Sequence, residues 1–327
     1  MMRTTFRSFT VAVAASAALV AAACGTGDDG SSTASSSPSG EAADTSAAAA
    51  VGFPVELTTD AGPVTIEAQP TAIVSLSPTG TEMLFAIGAG GQVKAVDDQS
   101  NHPPEAPVSD LSGYTPNVEA IVGMDPDLVV ASDAAPDVVD GLAKAAVPLL
   151  VLPAAVTIED SYEQLELLGR ATGQTGGAEK VVQDMRTRID ELVAGLPERP
   201  QPLTYYHELD DTLYSATSET FIGSLYAMIG LENVADGADG DGSGYPQLSV
   251  EYLLQADPDL IFLADVKCCD QNAETVAARP GWSALTAVRT GAVVELDDDI
   301  ASRWGPRVVD QLETVAAAVA ELPVTNS

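Results

Sequence analysis

The side chains best suited to chemistry are few, and their spacing is informative. His207-Glu208-Leu209-Asp210-Asp211 gathers metal-ligating types, but the only other histidine, His102, lies far away in Asn101-His102-Pro103-Pro104-Glu105. A zinc site wants several N or S ligands at turn or helix spacing, so a direct zinc or manganese receptor is a poor reading and no metal is assigned. Asp239-Gly240-Asp241-Gly242-Ser243-Gly244 opens like a calcium loop, yet its twelfth position is Val250 where a bidentate glutamate is required. There is no Gly-x-Ser-x-Gly elbow and no Walker-type phosphate loop with its lysine. The chain is therefore read as a non-enzyme with no catalytic residues and no cofactor. The rival from another class is a secreted hydrolase using a carboxylate pair, which turnover of ester or sugar substrates would reveal.

What remains is chemistry of recognition. Arg303, Trp304 and Arg307 in Ala301-Ser302-Arg303-Trp304-Gly305-Pro306-Arg307 stand out in a chain poor in base. A guanidinium fork suits a carboxylate, phosphate or ferric-chelate anion. Arg303 is the expected cleft residue and Arg307 a structural one, the bland alternative being an ion pair with Asp297-Asp298-Asp299. Ser77, Pro78 and Thr79, between a strand and a helix, offer hydroxyls and helix-end amides. Tyr205, Tyr206 and His207 end a predicted strand, and His207 is taken as a ligand contact. Cys268 and Cys269 are adjacent, which leaves a strained vicinal disulfide, two free thiols or soft contacts to a ligand; outside the cell the disulfide is favoured.

These residues sit on an alternation of strands and helices that predicts α/β architecture with mainly parallel sheets. A hairpin is expected at Val55–Leu57 and Val64–Ile66, then strands at Ile73–Leu76 and Val93–Val96. Thr79 and Glu82 have the spacing of a capping box. Residues 118–133, VEAIVGMDPDLVVASD, and 250–265, VEYLLQADPDLIFLAD, agree at seven of sixteen positions. Each copy reads as a short helix, a proline-stopped turn and a buried strand, and each follows a Gly-Tyr pair ending in Tyr114 or Tyr245. The repeat predicts two lobes, at 53–175 and 198–327. Val181, Met185, Ile189, Leu192 and Leu196 share one face of a long helix at 176–197 that joins the lobes beside a ligand cleft. Glu119 and Glu251 occupy equivalent first-turn positions, where a carboxylate favours the helix end by a few tenths to about 1 kcal/mol.

Fourteen Lys+Arg against 48 Asp+Glu give a net charge of −34, which excludes a nucleic-acid partner and docking on anionic lipid. Residues 1–23 have a basic start and a short apolar run, as a signal peptide does. They end in Ala21-Ala22-Ala23-Cys24, similar to a bacterial lipobox, so Cys24 is the expected lipid anchor and the only contact with the membrane. Residues 24–52 hold almost no large apolar side chain and are expected to be a flexible tether.

Taken in order, IVSLSPTGTEMLFAIGAGGQVKAVD, NHPPEAP, VEAIVGMDPDLVV and ASRWGPR resemble the substrate-binding lipoproteins of bacterial ABC importers for iron complexes and vitamin B12. The resemblance implies two α/β lobes on one long helix. It implies an extracytoplasmic monomer that captures a ferric siderophore, haem or a corrinoid for an ABC permease and its ATPase. It further implies that Glu119 and Glu251 dock on permease arginines and that Tyr114, Tyr245 and the late arginine meet the ligand.

Overall fold

Runs of apolar and β-branched residues bounded by turns make two buried parallel sheets. The computed structural model describes residues 52–59 and 62–324; the expected signal peptide at 1–23, the expected anchor Cys24, the expected tether up to residue 51, residues 60–61 and residues 325–327 lie outside the described residues. β1 (Val55–Thr59) and β2 (Gly62–Ile66) form the expected antiparallel hairpin. The first lobe then lays down β3 (Ile73–Leu76), β4 (Val93–Val96), β5 (Leu128–Ala131) and β6 (Leu149–Val151), in the spatial order β4-β3-β5-β6. The second uses β7 (Thr204–Glu208), β8 (Glu232–Asn233), β9 (Leu260–Leu263) and β10 (Val293–Glu295), in the order β10-β9-β7-β8. All pairings inside these two sheets are parallel. Numbered within each lobe, both orders are 2-1-3-4, so the internal repeat is a repeat of topology.

The repeated Asp-Pro-Asp explains how each copy turns. Asp125 and Asp257 adopt left-handed φ values of 54° and 45°, which end the short helices Val118–Val122 and Val250–Ala256; aspartate tolerates this region better than most residues. The second aspartate clamps the start of its lobe's first strand. Asp127 accepts from the Thr71 amide at 2.8 Å and the Ala72 amide at 3.0 Å. Asp259 accepts from the Thr204 amide at 2.8 Å and its hydroxyl at 3.0 Å.

Side chains alternate between two apolar layers, as strands buried on both faces require. Ile73, Leu128, Val130, Tyr205, Leu260 and Phe262 join one cluster that runs through both lobes. Their neighbours face separate outer clusters, Val74 and Val129 in the first lobe and Tyr206 and Ile261 in the second. The joining helix, Thr175–Gly195, buries Ala178, Val182, Met185 and Ile189 in the shared cluster, with Val181, Leu192 and Leu196 packed at its edge. The C-terminal helix Val308–Glu321 lies along it, tied by Arg188 to Asp310 at 2.6 Å and Glu313 at 2.8 Å.

Candidate functional site

The strand order places a crevice where the chain leaves β3 in opposite directions, at the carboxyl ends of β3, β4 and β5. A cavity of about 290 Å³ lies there, bounded by Leu76, Pro78, Asp97, Gln99, Tyr114 and Asp133 among others, with no lysine or arginine in its lining. Three larger grooves lie away from this switch point: two, of about 350 and 380 Å³, follow the hairpin and the β6 edge, and one of about 300 Å³ lies where the joining helix ends, at Leu196 and Pro197. Position relative to the strand ends, rather than size, identifies the site.

Ser77 and Thr79 are buried. Ser77 caps helix Pro78–Ala86, its hydroxyl receiving the Gly80 amide at 3.2 Å. The cap is thus Ser77 and not the expected Thr79–Glu82 box. Of the three loop residues, Pro78 lines the cavity. Tyr114 stands at its rim, 90% exposed. Tyr245 is half exposed in the second lobe and is not among the residues lining this cavity. Its lead-in loop is closed by Asp239, which accepts from the Gly244 amide at 2.9 Å.

Glu82 is freed from capping to hold the lobes together. Its carboxylate receives Arg303 Nη1 at 2.7 Å and Arg307 Nε at 3.0 Å. Arg303 also donates to Asn101 Oδ1 at 2.9 Å, the Gln99 carbonyl at 3.1 Å and Asp299 Oδ1 at 3.1 Å. Trp304 Nε1 donates to Gln164 Oε1 at 2.7 Å. Arg303 and Trp304 are therefore interlobe fasteners. The Nη1 and Nη2 donors of Arg303, the residue expected to receive a ligand anion, are matched by oxygens of both lobes.

His207, the expected ligand contact, lies in the core. It is fully buried, its Nδ1 lies 2.8 Å from the Tyr226 hydroxyl, and burial pushes its pKa down to about 3. It is a core residue of β7. Beside it Glu208 holds Arg279 through two 2.6 Å bonds, and Arg279 stacks on Trp282. Asp265, equivalent to Asp133 in the repeat, is buried near Glu208; burial and that neighbour push its carboxyl up to about 7. Cys268 and Cys269 are disulfide-bonded in the short helix Val266–Cys269. The Asp298 carboxylate receives the amides of Val266, Lys267 and Cys268, and Lys267 pairs with Asp297 and Asp299. Glu119 and Glu251 are exposed on their short helices, and neither forms an ion pair among the described residues.

Sequence reasoning read Glu82 as a capping residue and Asp298 only as part of an ion-pair alternative for Arg303, and it gave no role to Asp97 or Asp265, although Asp265 is the shared last position of the two repeat copies. No group of metal-ligating side chains occurs among the described residues.

Comparison with known proteins agrees with this architecture. The chain is 28% identical over 265 residues to the ABC transporter substrate-binding lipoprotein YvrC of Bacillus subtilis, covering 78% of this chain and 82% of that protein. It is 30% identical over 266 residues to a cobalamin-binding protein of Halobacterium salinarum, covering 78% and 71%. Among solved structures, the periplasmic vitamin B12 binding protein BtuF of Vibrio cholerae superposes with a TM-score of 0.60 at 25% identity, over 76% of this chain and 96% of that one. The haem-binding protein HutB of the same organism shares the fold, with a TM-score of 0.67 at 21% identity over 76% and 98%. Residues 73–300 match the periplasmic binding protein model, and the chain belongs to that family.

Proposed function

We propose that this protein is the lipid-anchored, extracytoplasmic receptor of an ABC importer and that its ligand is a corrinoid. The observation that carries the choice of ligand is the fate of the bases around the cleft. Lys267, Arg279, Arg303 and Arg307 are each engaged by carboxylates of the protein, and the cavity lining holds no base. Haem propionates and anionic siderophores need a free cation; a corrinoid presents neutral carboxamides and does not. The cobalamin- and vitamin B12-binding relatives support the same reading. Cys24 after three alanines supports the anchor. Glu119 and Glu251 present one carboxylate per lobe to the permease.

Titration with cyanocobalamin, haemin and ferric siderophores, followed by tryptophan fluorescence, tests the assignment. Cyanocobalamin should bind with a Kd of about micromolar or tighter. Tighter binding of haemin or an anionic siderophore would overturn the corrinoid reading, and turnover of an ester or glycoside would overturn the receptor reading.

A further inference from the structure

The first-lobe cavity of about 290 Å³ takes the edge of a macrocycle rather than the whole of it, so the rest of a large ligand has to meet the second lobe. Two observations indicate which element it meets. By the repeat, Ser132–Ala135 of the cavity lining correspond to Ala264–Lys267, and both segments follow the carboxyl end of equivalent strands, β5 and β9. Contacts across the junction agree. Asp299 Oδ2 receives Lys267 Nζ at 2.8 Å and Asn101 Nδ2 of the first lobe at 3.0 Å. Arg303, on the same carboxylate at 3.1 Å, donates at 3.1 Å to the carbonyl of Gln99, which lines the cavity. Lys267 therefore stands at the junction beside the cavity.

Cys268 and Cys269 are the next two residues. Cys268 is exposed, Cys269 partly so, and they are joined by a disulfide. The polar groups around them satisfy one another. Asp298 receives the amides of Val266, Lys267 and Cys268, and Asp297 and Asp299 hold the Lys267 ammonium. Lys267 is the only base in Val266–Asp270 and is thus already paired, while Asp270 is an exposed acid. This segment offers an anion nothing. What it does offer is a pair of uncharged sulfurs, fixed in one covalent ring with the peptide between them. Sulfur is soft and polarisable and packs favourably against conjugated rings.

We propose that the Cys268–Cys269 disulfide is the second-lobe contact of the ligand: the macrocycle enters the first-lobe cavity by its edge and rests on the two sulfurs beyond it. This rests on the corrinoid reading above and deepens it. The contact selects by shape and softness, where a lysine or arginine in the same place would select an anion.

The test uses the wild-type protein, a small dithiol and cyanocobalamin. The dithiol attacks one sulfur to give a mixed disulfide; its own two thiols end as a disulfide, and Cys268 and Cys269 each end as a thiol. The rate is read by alkylating the freed thiols and following the peptide that carries both cysteines by mass spectrometry. Saturating cyanocobalamin should slow this reduction by about five-fold or more. Removal of the disulfide, as Cys268→Ser with Cys269→Ser, should weaken cyanocobalamin binding by about ten-fold in calorimetry. Where the double variant folds poorly, the reduced wild type takes its place. Reduction that cyanocobalamin does not slow overturns the contact and leaves the corrinoid reading intact. Slowed reduction with undiminished affinity once the disulfide is gone overturns it too, because closure of the cleft shields sulfur without touching it. Absence of cyanocobalamin binding overturns the corrinoid reading itself.

Discussion

His207 and Asp265 lie at the ends of neighbouring strands and titrate in opposite senses. His207 falls from 6.5 to about 3 because burial disfavours the imidazolium. Between those values the unfolded chain binds the proton and the folded one does not, so this residue makes stability fall as pH falls from about 6.5 to about 3. Asp265 rises from 3.8 to about 7. Between those values the folded state binds the extra proton, so this residue makes stability rise as pH falls from about 7 to about 4. Over the shared window the two slopes, each at most about 1.4 kcal/mol per pH unit, oppose one another. Relative to the wild type, Asp265→Asn should therefore lose stability on acidification from pH 6.5 to 4, and His207→Gln should gain it, in urea unfolding series. Parallel curves for all three proteins would refute the opposition. None of this was legible in the sequence. The string His-Glu-Leu-Asp-Asp shows ionisable types, but whether each is sealed in a strand or left on a loop depends on a sheet assembled from residues far apart.

Elements were the most legible level, because periodicity is local. Ile73–Leu76 and Val93–Val96 are strands where their apolar runs placed them, and the long helix runs Thr175–Gly195 against an expected 176–197. The cap of Pro78–Ala86 was misread because Thr79–Glu82 has the right spacing, yet Ser77 stands two residues earlier, directly before the helix, and Glu82 is recruited by arginines 221 and 225 residues downstream. No local pattern carries such a partner. The Asp-Pro-Asp repeat, in contrast, encodes a strand clamp that can be tested in both lobes. Asp127→Ala removes hydrogen bonds to Thr71 and Ala72, which lead into β3, and Asp259→Ala removes those to Thr204, the first residue of β7; each bond is worth about 0.5–1.5 kcal/mol. Both should lower the urea midpoint. The loss should be larger for Asp259, whose bonds are partly buried, than for Asp127, whose bonds are exposed. Equal stability of Asp259→Ala and wild type would mean that the repeat is not a structural device.

At the scale of the whole molecule, one apolar cluster passes through both sheets and the joining helix, and the Glu82–Arg303–Arg307 fastener closes the same junction with charge. Two lobes joined in this way hold surface groups at a set separation, so a partner can read one residue from each lobe together. Glu119 and Glu251 suit that use: they are exposed, equivalent by sequence repeat and by topology, and unpaired among the described residues. In a chain of net charge −34 most carboxylates are interchangeable, and what distinguishes these two is their equivalence rather than their charge. Reversing both, as Glu119→Lys with Glu251→Lys, would set lysine against permease arginines, and like charges brought together cost several kcal/mol. Uptake of cyanocobalamin into vesicles carrying the permease and ATPase should then fall by more than about ten-fold. Affinity for cyanocobalamin in solution should stay within about two-fold, because neither residue lines the cavity. Uptake that survives the double reversal would dismiss the docking role. A parallel fall in ligand affinity would dismiss it too, by showing that these glutamates act through the cleft, whereas partial loss from each single reversal would show that the permease reads both lobes at once.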